Sequence, residues 1–119
     1  MKNTVIIADD SRFMRRWLKQ IIENSSYQVI AEATTGLEAV KIYQHYHPDI
    51  IILDIVMPKS NGLDALKKIK ELDPQANVII SSSLATHNNV TRALQYGAKD
   101  FVVKPNFNKL IEIMNNSLK

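Results

Sequence analysis

Three carboxylates, a hydroxyl and an ammonium stand where apolar runs of this chain end. Asp9 and Asp10 follow Thr4–Ala8, Asp54 follows Ile50–Leu53, Ser81–Ser83 close the run from Asn77, and Lys104 with Pro105 closes the run from Asp100. A carboxylate driven into an apolar run costs free energy unless it is paired or coordinated. Neighbouring carboxylates repel and raise at least one pKa unless a cation shares the site. An oxygen-only ligand set with an incomplete protein shell suits Mg²⁺, which keeps several waters and often binds phosphate. A lysine and a hydroxyl would then meet the phosphate's remaining oxygens, and a carboxylate, a hard metal and a lysine are the parts needed for an aspartyl-phosphate. Singly, each residue has a plainer role: Asp10 or Ser11 as a helix cap, Asp54 as a cap, Ser82 as a turn residue, Lys104 as a solvated lysine. The chemical reading rests on their joint occurrence.

The elements that must bring these residues together alternate in type. Strand patterns at 4–8, 28–33, 50–54, 77–82 and 100–104 alternate with helical patterns at 11–24, 35–46, 62–72, 88–97 and 107–118. In the first helix Phe13, Met14, Trp17, Leu18, Ile21 and Ile22 recur at helical spacing, which predicts a core stripe that includes Trp17. Gly97 is placed to end the fourth helix in the left-handed conformation. Five βα units predict an α/β fold with a parallel sheet covered by helices on both faces. The near-continuous hydrophobicity of the first, third and fourth strands agrees, because parallel strands are buried on both sides. Ligands of such sheets bind beyond the carboxyl ends of the strands, where Asp9, Asp10, Asp54, Ser82 and Lys104 lie; the second exit, near Thr34, offers little.

The 119 residues predict one domain, 1–119, with no linker or effector domain, and with a core of ordinary size. There is no cysteine, which excludes disulfides, zinc knuckles and thiol nucleophiles. The N-terminus does not read as a signal peptide, and no apolar run approaches the roughly 20 residues of a membrane span, so a cytoplasmic location is expected. The net charge of +3 is spread over several segments rather than gathered on one run, so solvated helix faces are expected and no nucleic-acid partner.

The stretches "IIADDS", "LDIVMP", the Asn61-Gly62 pair and "GAKDFVVKP" together resemble the response-regulator receiver domains of two-component signalling, most closely the single-domain CheY-type chemotaxis regulators. The resemblance covers the whole chain. It implies a doubly wound (βα)5 flavodoxin-like three-layer sandwich, whose strand order 2-1-3-4-5 is a known property of that family and not a deduction from the residues. It implies that Asp54 is the phosphoacceptor, that Asp9, Asp10, Asp54 and the backbone carbonyl of Val56 hold Mg²⁺, and that Lys104 pairs with a phosphoryl oxygen. Ser82 stands at the position of the switch hydroxyl, Phe101 at that of the switch aromatic, and Pro105 where the pattern often has a cis peptide. Asn61 replaces an acid common in the family, outside the site.

The implied function is a phosphorylation-activated switch, not an enzyme beyond its own phosphoryl transfer and slow autodephosphorylation. A sensor histidine kinase or phosphotransfer protein would be the donor, with acetyl phosphate as a small-molecule substitute. A target such as a flagellar motor switch component would bind the face made by the fourth helix, fifth strand and fifth helix, with the protein a monomer or a weak phosphorylation-dependent dimer. The positions two after Asp54 and two after Ser82 flank the route of hydrolytic water in receivers. Here they are the apolar Val56 and Leu84, which predicts unassisted hydrolysis and a long-lived phosphoryl group.

A phosphatase of the haloacid-dehalogenase type would need an acid at Val56. An FMN carrier would need a hydroxyl- and glycine-rich loop where "ADDSRFMRR" stands. An interaction module that has lost phosphorylation would not need all five site residues. Within the family, "ADDSRFMR" and "SSSLATHNNVTRAL" are also similar to the receiver part of methylesterases, so a piece of a larger regulator, methylesterase or transcription factor, is the alternative. His45 and His47, two apart at a helix end, do not face each other and do not read as a metal site. His87 reads as a loop or cap residue, and Phe13 as core or, secondarily, as a contact for a kinase or phosphatase.

Overall fold

The computed structural model describes residues 2–57, 60–84 and 86–119; Pro58, Lys59 and Ala85 lie outside the described residues, as does Pro58's part in the "LDIVMP" motif. Five strands, β1 (Asn3–Ala8), β2 (Tyr27–Ala33), β3 (Ile50–Leu53), β4 (Val78–Ser82) and β5 (Asp100–Val103), form a parallel sheet of order 2-1-3-4-5. Helices α1 (Arg12–Glu23), α2 (Gly36–Tyr46), α3 (Gly62–Leu72), α4 (His87–Gln95) and α5 (Leu110–Ser117) alternate with them. The expected α/β sandwich and strand order are what the chain adopts.

Alternation along each strand sorts the core into two halves. Ile6, Ile51, Leu53, Val78 and Ile80 pack with Ala39, Tyr43, Leu66, Ile69 and Ala93, placing α2, α3 and α4 on one face. Val5, Ile7, Ile50, Ile52, Ile79 and Val102 pack with Leu18, Ile22, Leu110 and Met114, placing α1 and α5 on the other. Every residue of β3 and β4 is buried, as continuous apolar runs in a doubly covered sheet require.

Helix ends follow local chemistry. Ser11, Thr35, Asn61 and Thr86 are N-caps whose side-chain oxygens accept backbone N–H bonds from Met14, Glu38, Leu63 and Asn89. After α4, Gly97 takes φ 101°, the left-handed conformation expected of it, and its N–H reaches the carbonyl of Leu94.

Four expectations need correction. Trp17 is not in the core: it is 37% exposed and meets Phe107 edge-on at 5.3 Å between ring centroids, with the Phe13 ring at 5.9 Å. The apolar stripe of α1 is wider than the surface the sheet and α5 can cover, so Leu18 and Ile22 go inside while Trp17 and Phe13 stay at the edge. His87 is the first residue of α4 rather than a cap, since Thr86 caps that helix. Helix α5 begins at Leu110 rather than at 107, because residues 104–109 form turns first. Finally, Val56–Met57 pairs antiparallel with Ser60–Asn61 in a short hairpin that the sequence pattern does not predict.

Candidate functional site

Asp9, Asp54 and Lys104 are each the first residue beyond a strand, and Ser82 is the last residue of β4, so the sheet brings them to one rim. Backbone hydrogen bonds hold that rim in register. Asp9 N–H donates to the carbonyl of Ala33 at 3.0 Å, Asp54 N–H to that of Ala8 at 2.9 Å, and Lys104 N–H to that of Ser82 at 3.0 Å. In a parallel sheet this fixes which side chains share a face. Asp9, Asp54 and Lys104 follow Ile7, Ile52 and Val102 by two residues, on the α1–α5 side.

The ammonium of Lys104 lies 2.6 Å from Oδ2 of Asp9 and 3.0 Å from Oδ2 of Asp54. All three side chains are nearly enclosed, at 10%, 2% and 6% exposure. Oδ1 of Asp9 accepts the N–H of Ser11 at 2.9 Å, and Oδ1 of Asp54 accepts the N–H of Val56 at 3.3 Å. Asp10 is exposed, yet one oxygen each of Asp9, Asp10 and Asp54 lie within 4.8 Å of one another.

The electrostatics are those of a site short of positive charge. Burial pushes the Asp54 carboxyl above its usual range; Lys104 works against that, and the Asp9 charge adds to it. Burial works to lower the Lys104 ammonium, but hydrogen bonds and charge from Asp9 and Asp54 outweigh it and hold the group above its ordinary value. Among the described residues three carboxylates gather about one ammonium, so the donor set is hard, oxygen-only and net negative, which fits a divalent cation of the Mg²⁺ type. Among the described residues this is the only such cluster of three or more ligating side chains.

The remaining expected residues are placed as follows. Ser82 is fully buried, and its Oγ accepts the N–H of Leu84 at 3.1 Å, which ties it to its own loop. Phe101 is half-buried against the core of the α2–α4 face. Val56 sits on the hairpin beside Asp54, 52% exposed, and Leu84 is 47% exposed. The Lys104–Pro105 peptide is cis.

Two functional relationships are not predicted from the residues alone. Gly62 donates its N–H to the carbonyl of Ile55 at 2.7 Å, and a Cβ there would fall on the carbonyl oxygen of Asp54 and 2.6 Å from Cα of Ile55. The hairpin folds back this tightly only because residue 62 has no side chain. The isolated glycine at the head of α3 is the one sequence signal of that approach. Arg15 donates from Nη1 to the carbonyl of Asp9 at 2.7 Å and from Nε to Glu32 at 2.9 Å, pinning the Asp9–Asp10 turn to β2. Beside the rim runs a groove along α1 lined by Arg12, Phe13, Arg16, Trp17 and Lys19.

The chain as a whole is similar to known proteins. The chain is 44% identical to the chemotaxis protein CheY of Thermotoga maritima over the full length of both. It is 40% identical to the CheY of Bacillus subtilis, covering 99% of each. Among solved structures, the CheX–CheY–BeF3–Mg²⁺ complex of Borrelia burgdorferi contains a chain that superposes with a TM-score of 0.94 at 37% identity, covering 98% of this chain and 90% of that one. Residues 5–115 match the family model described as the response regulator receiver domain, and the chain therefore belongs to that family, as a receiver domain of the CheY type.

Proposed function

We propose that the protein is a phosphorylation-activated switch whose phosphoacceptor is Asp54. An oxygen of the Asp54 carboxylate attacks phosphorus in a phosphohistidine of a sensor histidine kinase or phosphotransfer protein. The new P–O bond forms as the P–N bond breaks, and the imidazole leaves. Asp9, Asp10, Asp54 and the backbone carbonyl of Val56 would hold Mg²⁺, which supplies charge neutralisation for the transfer. Lys104 gives an N–H to a phosphoryl oxygen. The observation that carries this reading is the enclosed Lys104 ammonium within hydrogen-bond reach of both Asp9 and Asp54, with Asp10 alongside.

The readout begins at Ser82. Its hydroxyl now accepts from Leu84 in its own loop and still has a hydrogen to donate. Donating it to a phosphoryl oxygen draws the β4–α4 loop toward Asp54 and vacates space for the half-buried Phe101. The face made by α4, β5 and α5, where Leu94 and Val103 are exposed, then changes shape and binds a target protein, such as a flagellar motor switch component. The protein acts in the cytoplasm in chemotaxis, as its likeness to CheY proteins supports.

The switch is tested with beryllofluoride and Mg²⁺, a phosphoryl substitute, and backbone NMR. Resonances of Ser82, Phe101 and α4 should move together in wild type and stay in place in Phe101→Ala beyond the loop itself. Changes confined to the Asp9–Asp54 rim would contradict a transmitted switch.

A further inference from the structure

Lys104 directly follows β5, an edge strand, yet its ammonium reaches Asp54 beyond β3 and Asp9 beyond β1. Its side chain must therefore cross β4. The β4 residue on that face is Ser81: it pairs with Val102, two residues before Lys104 on the same face of β5. On its other side Leu53 pairs with Ile80, so Asp54 and Ser81 are the next residues along their two strands. Alternation agrees, since Ile79 and Val102 belong to the α1–α5 core and Ser81 follows Ile79 by two. Ser81 thus lies beneath the path of the lysine, between its root and the carboxylate it serves.

Two further facts make Ser81 more than a small residue that leaves room. It is 1% exposed, and its Oγ is buried without a hydrogen-bond partner among the described residues. A buried hydroxyl left unpaired is a cost that folded proteins usually avoid. Lys104 has three N–H donors, and Asp9 and Asp54 accept two of them. Within the switch reading above, Asp9 must turn from the ammonium to a cation, which frees a second donor.

We propose that Ser81 is a positioning residue for Lys104, its hydroxyl accepting an ammonium N–H and holding the lysine across β4, aimed at Asp54, once Asp9 has let go. The inference rests on the phosphoacceptor reading of Asp54 and adds a part to it. Ser81 touches neither donor nor metal. It acts through where it keeps the ammonium.

The test compares wild type with Ser81→Ala, Ser81→Thr and Ser81→Val, the last two differing in a hydroxyl against a methyl. Each folded variant is titrated with beryllofluoride in Mg²⁺, and hydrogen exchange of the Lys104 ammonium is followed by ¹⁵N NMR in the loaded state. Ser81→Thr should bind like wild type and keep a slowly exchanging ammonium. Ser81→Ala and Ser81→Val should bind about tenfold more weakly, the scale of one charged hydrogen bond, with fast exchange. Equal binding and exchange in all four proteins overturns the role of Ser81 while leaving Asp54 as acceptor. Ser81→Thr behaving like Ser81→Val overturns it equally, since the hydroxyl then does not matter. Wild type failing to bind beryllofluoride at all overturns the phosphoacceptor reading and this inference with it.

Discussion

Lys104 and Asp54 meet at 3.0 Å across the intervening strand β4, in a rim where burial holds the carboxyl above its usual range against the pull of the lysine. A raised carboxylate means that the folded protein disfavours the ionised form, so above that pKa Asp54 opposes folding. Asp54→Asn removes the charge and leaves Lys104 paired with Asp9. The variant should therefore melt at a higher temperature than wild type in a chelating buffer near neutral pH. Lys104→Met does the reverse, leaving two enclosed carboxylates without their shared ammonium, and should cost about 3 kcal/mol in urea unfolding under the same conditions. A destabilised Asp54→Asn together with a neutral Lys104→Met would contradict this account of the rim.

With Asp9, Asp10 and Asp54 as its ligands, Mg²⁺ would act as a stabilising ligand. Wild type should gain about 2.7 kcal/mol at a cation concentration of about 100 times Kd, measured by thermal or chemical unfolding. Asp9→Asn should lose most of that gain. Equal gains in both proteins would remove Asp9 from the ligand set.

Gly62 is held against the backbone of Asp54 and Ile55, where neither neighbour is a side chain that can swing aside. Gly62→Ala should destabilise by at least about 2 kcal/mol, the range of overpacking, and should also weaken Mg²⁺ binding because the Asp54 carbonyl is displaced. Destabilisation with unchanged Mg²⁺ affinity would separate the hairpin from the site.

Alkaline pH should expose a second pair, far from the rim. Tyr43 donates its hydroxyl to Asp73 at 2.7 Å, and burial first, then that bond and charge, raise the phenol above its ordinary 10.0. Above pH 10 the unfolded chain loses the Tyr43 proton while the folded chain keeps it, so stability falls as pH rises. The raised Lys104 acts in the same direction above 10.5. Stability measured from pH 9 to pH 11 should decline less steeply in Tyr43→Phe than in wild type; parallel slopes would contradict the assignment.

Val56 and Leu84 stand exposed and apolar beside the rim and the Ser82 loop. Neither can orient water. The double variant Val56→Asn, Leu84→Glu should shorten the phosphoryl lifetime by about tenfold, less than a full general base supplies. An unchanged lifetime would mean that water reaches the site by another route.

The architecture is legible because each βα unit carries its own period, and because parallel strands buried on both faces leave unbroken apolar runs at Ile50–Leu53 and Val78–Ile80. The rim is legible for a related reason: strand ends converge in this topology, so Asp9, Asp54, Ser82 and Lys104 are placed by the strands that precede them. Other features depend on distances that no local pattern encodes. The hairpin at Val56–Asn61 pairs two residues with two, too short for alternation to register. Trp17 shares the period of Leu18 and Ile22, and only the width of the surface α1 covers decides which goes inside. The bridge from Lys104 to Asp9, and Ser81 beneath it, follow from the strand order, which helical and strand periods leave open.

Intact mass after incubation with acetyl phosphate and Mg²⁺ addresses the central claim most directly. Wild type should gain the mass of one phosphoryl group, and the gain should vanish in Asp54→Asn and in the presence of a chelator. An adduct that persists in Asp54→Asn, or none in wild type with Mg²⁺ present, would contradict Asp54 as the phosphoacceptor.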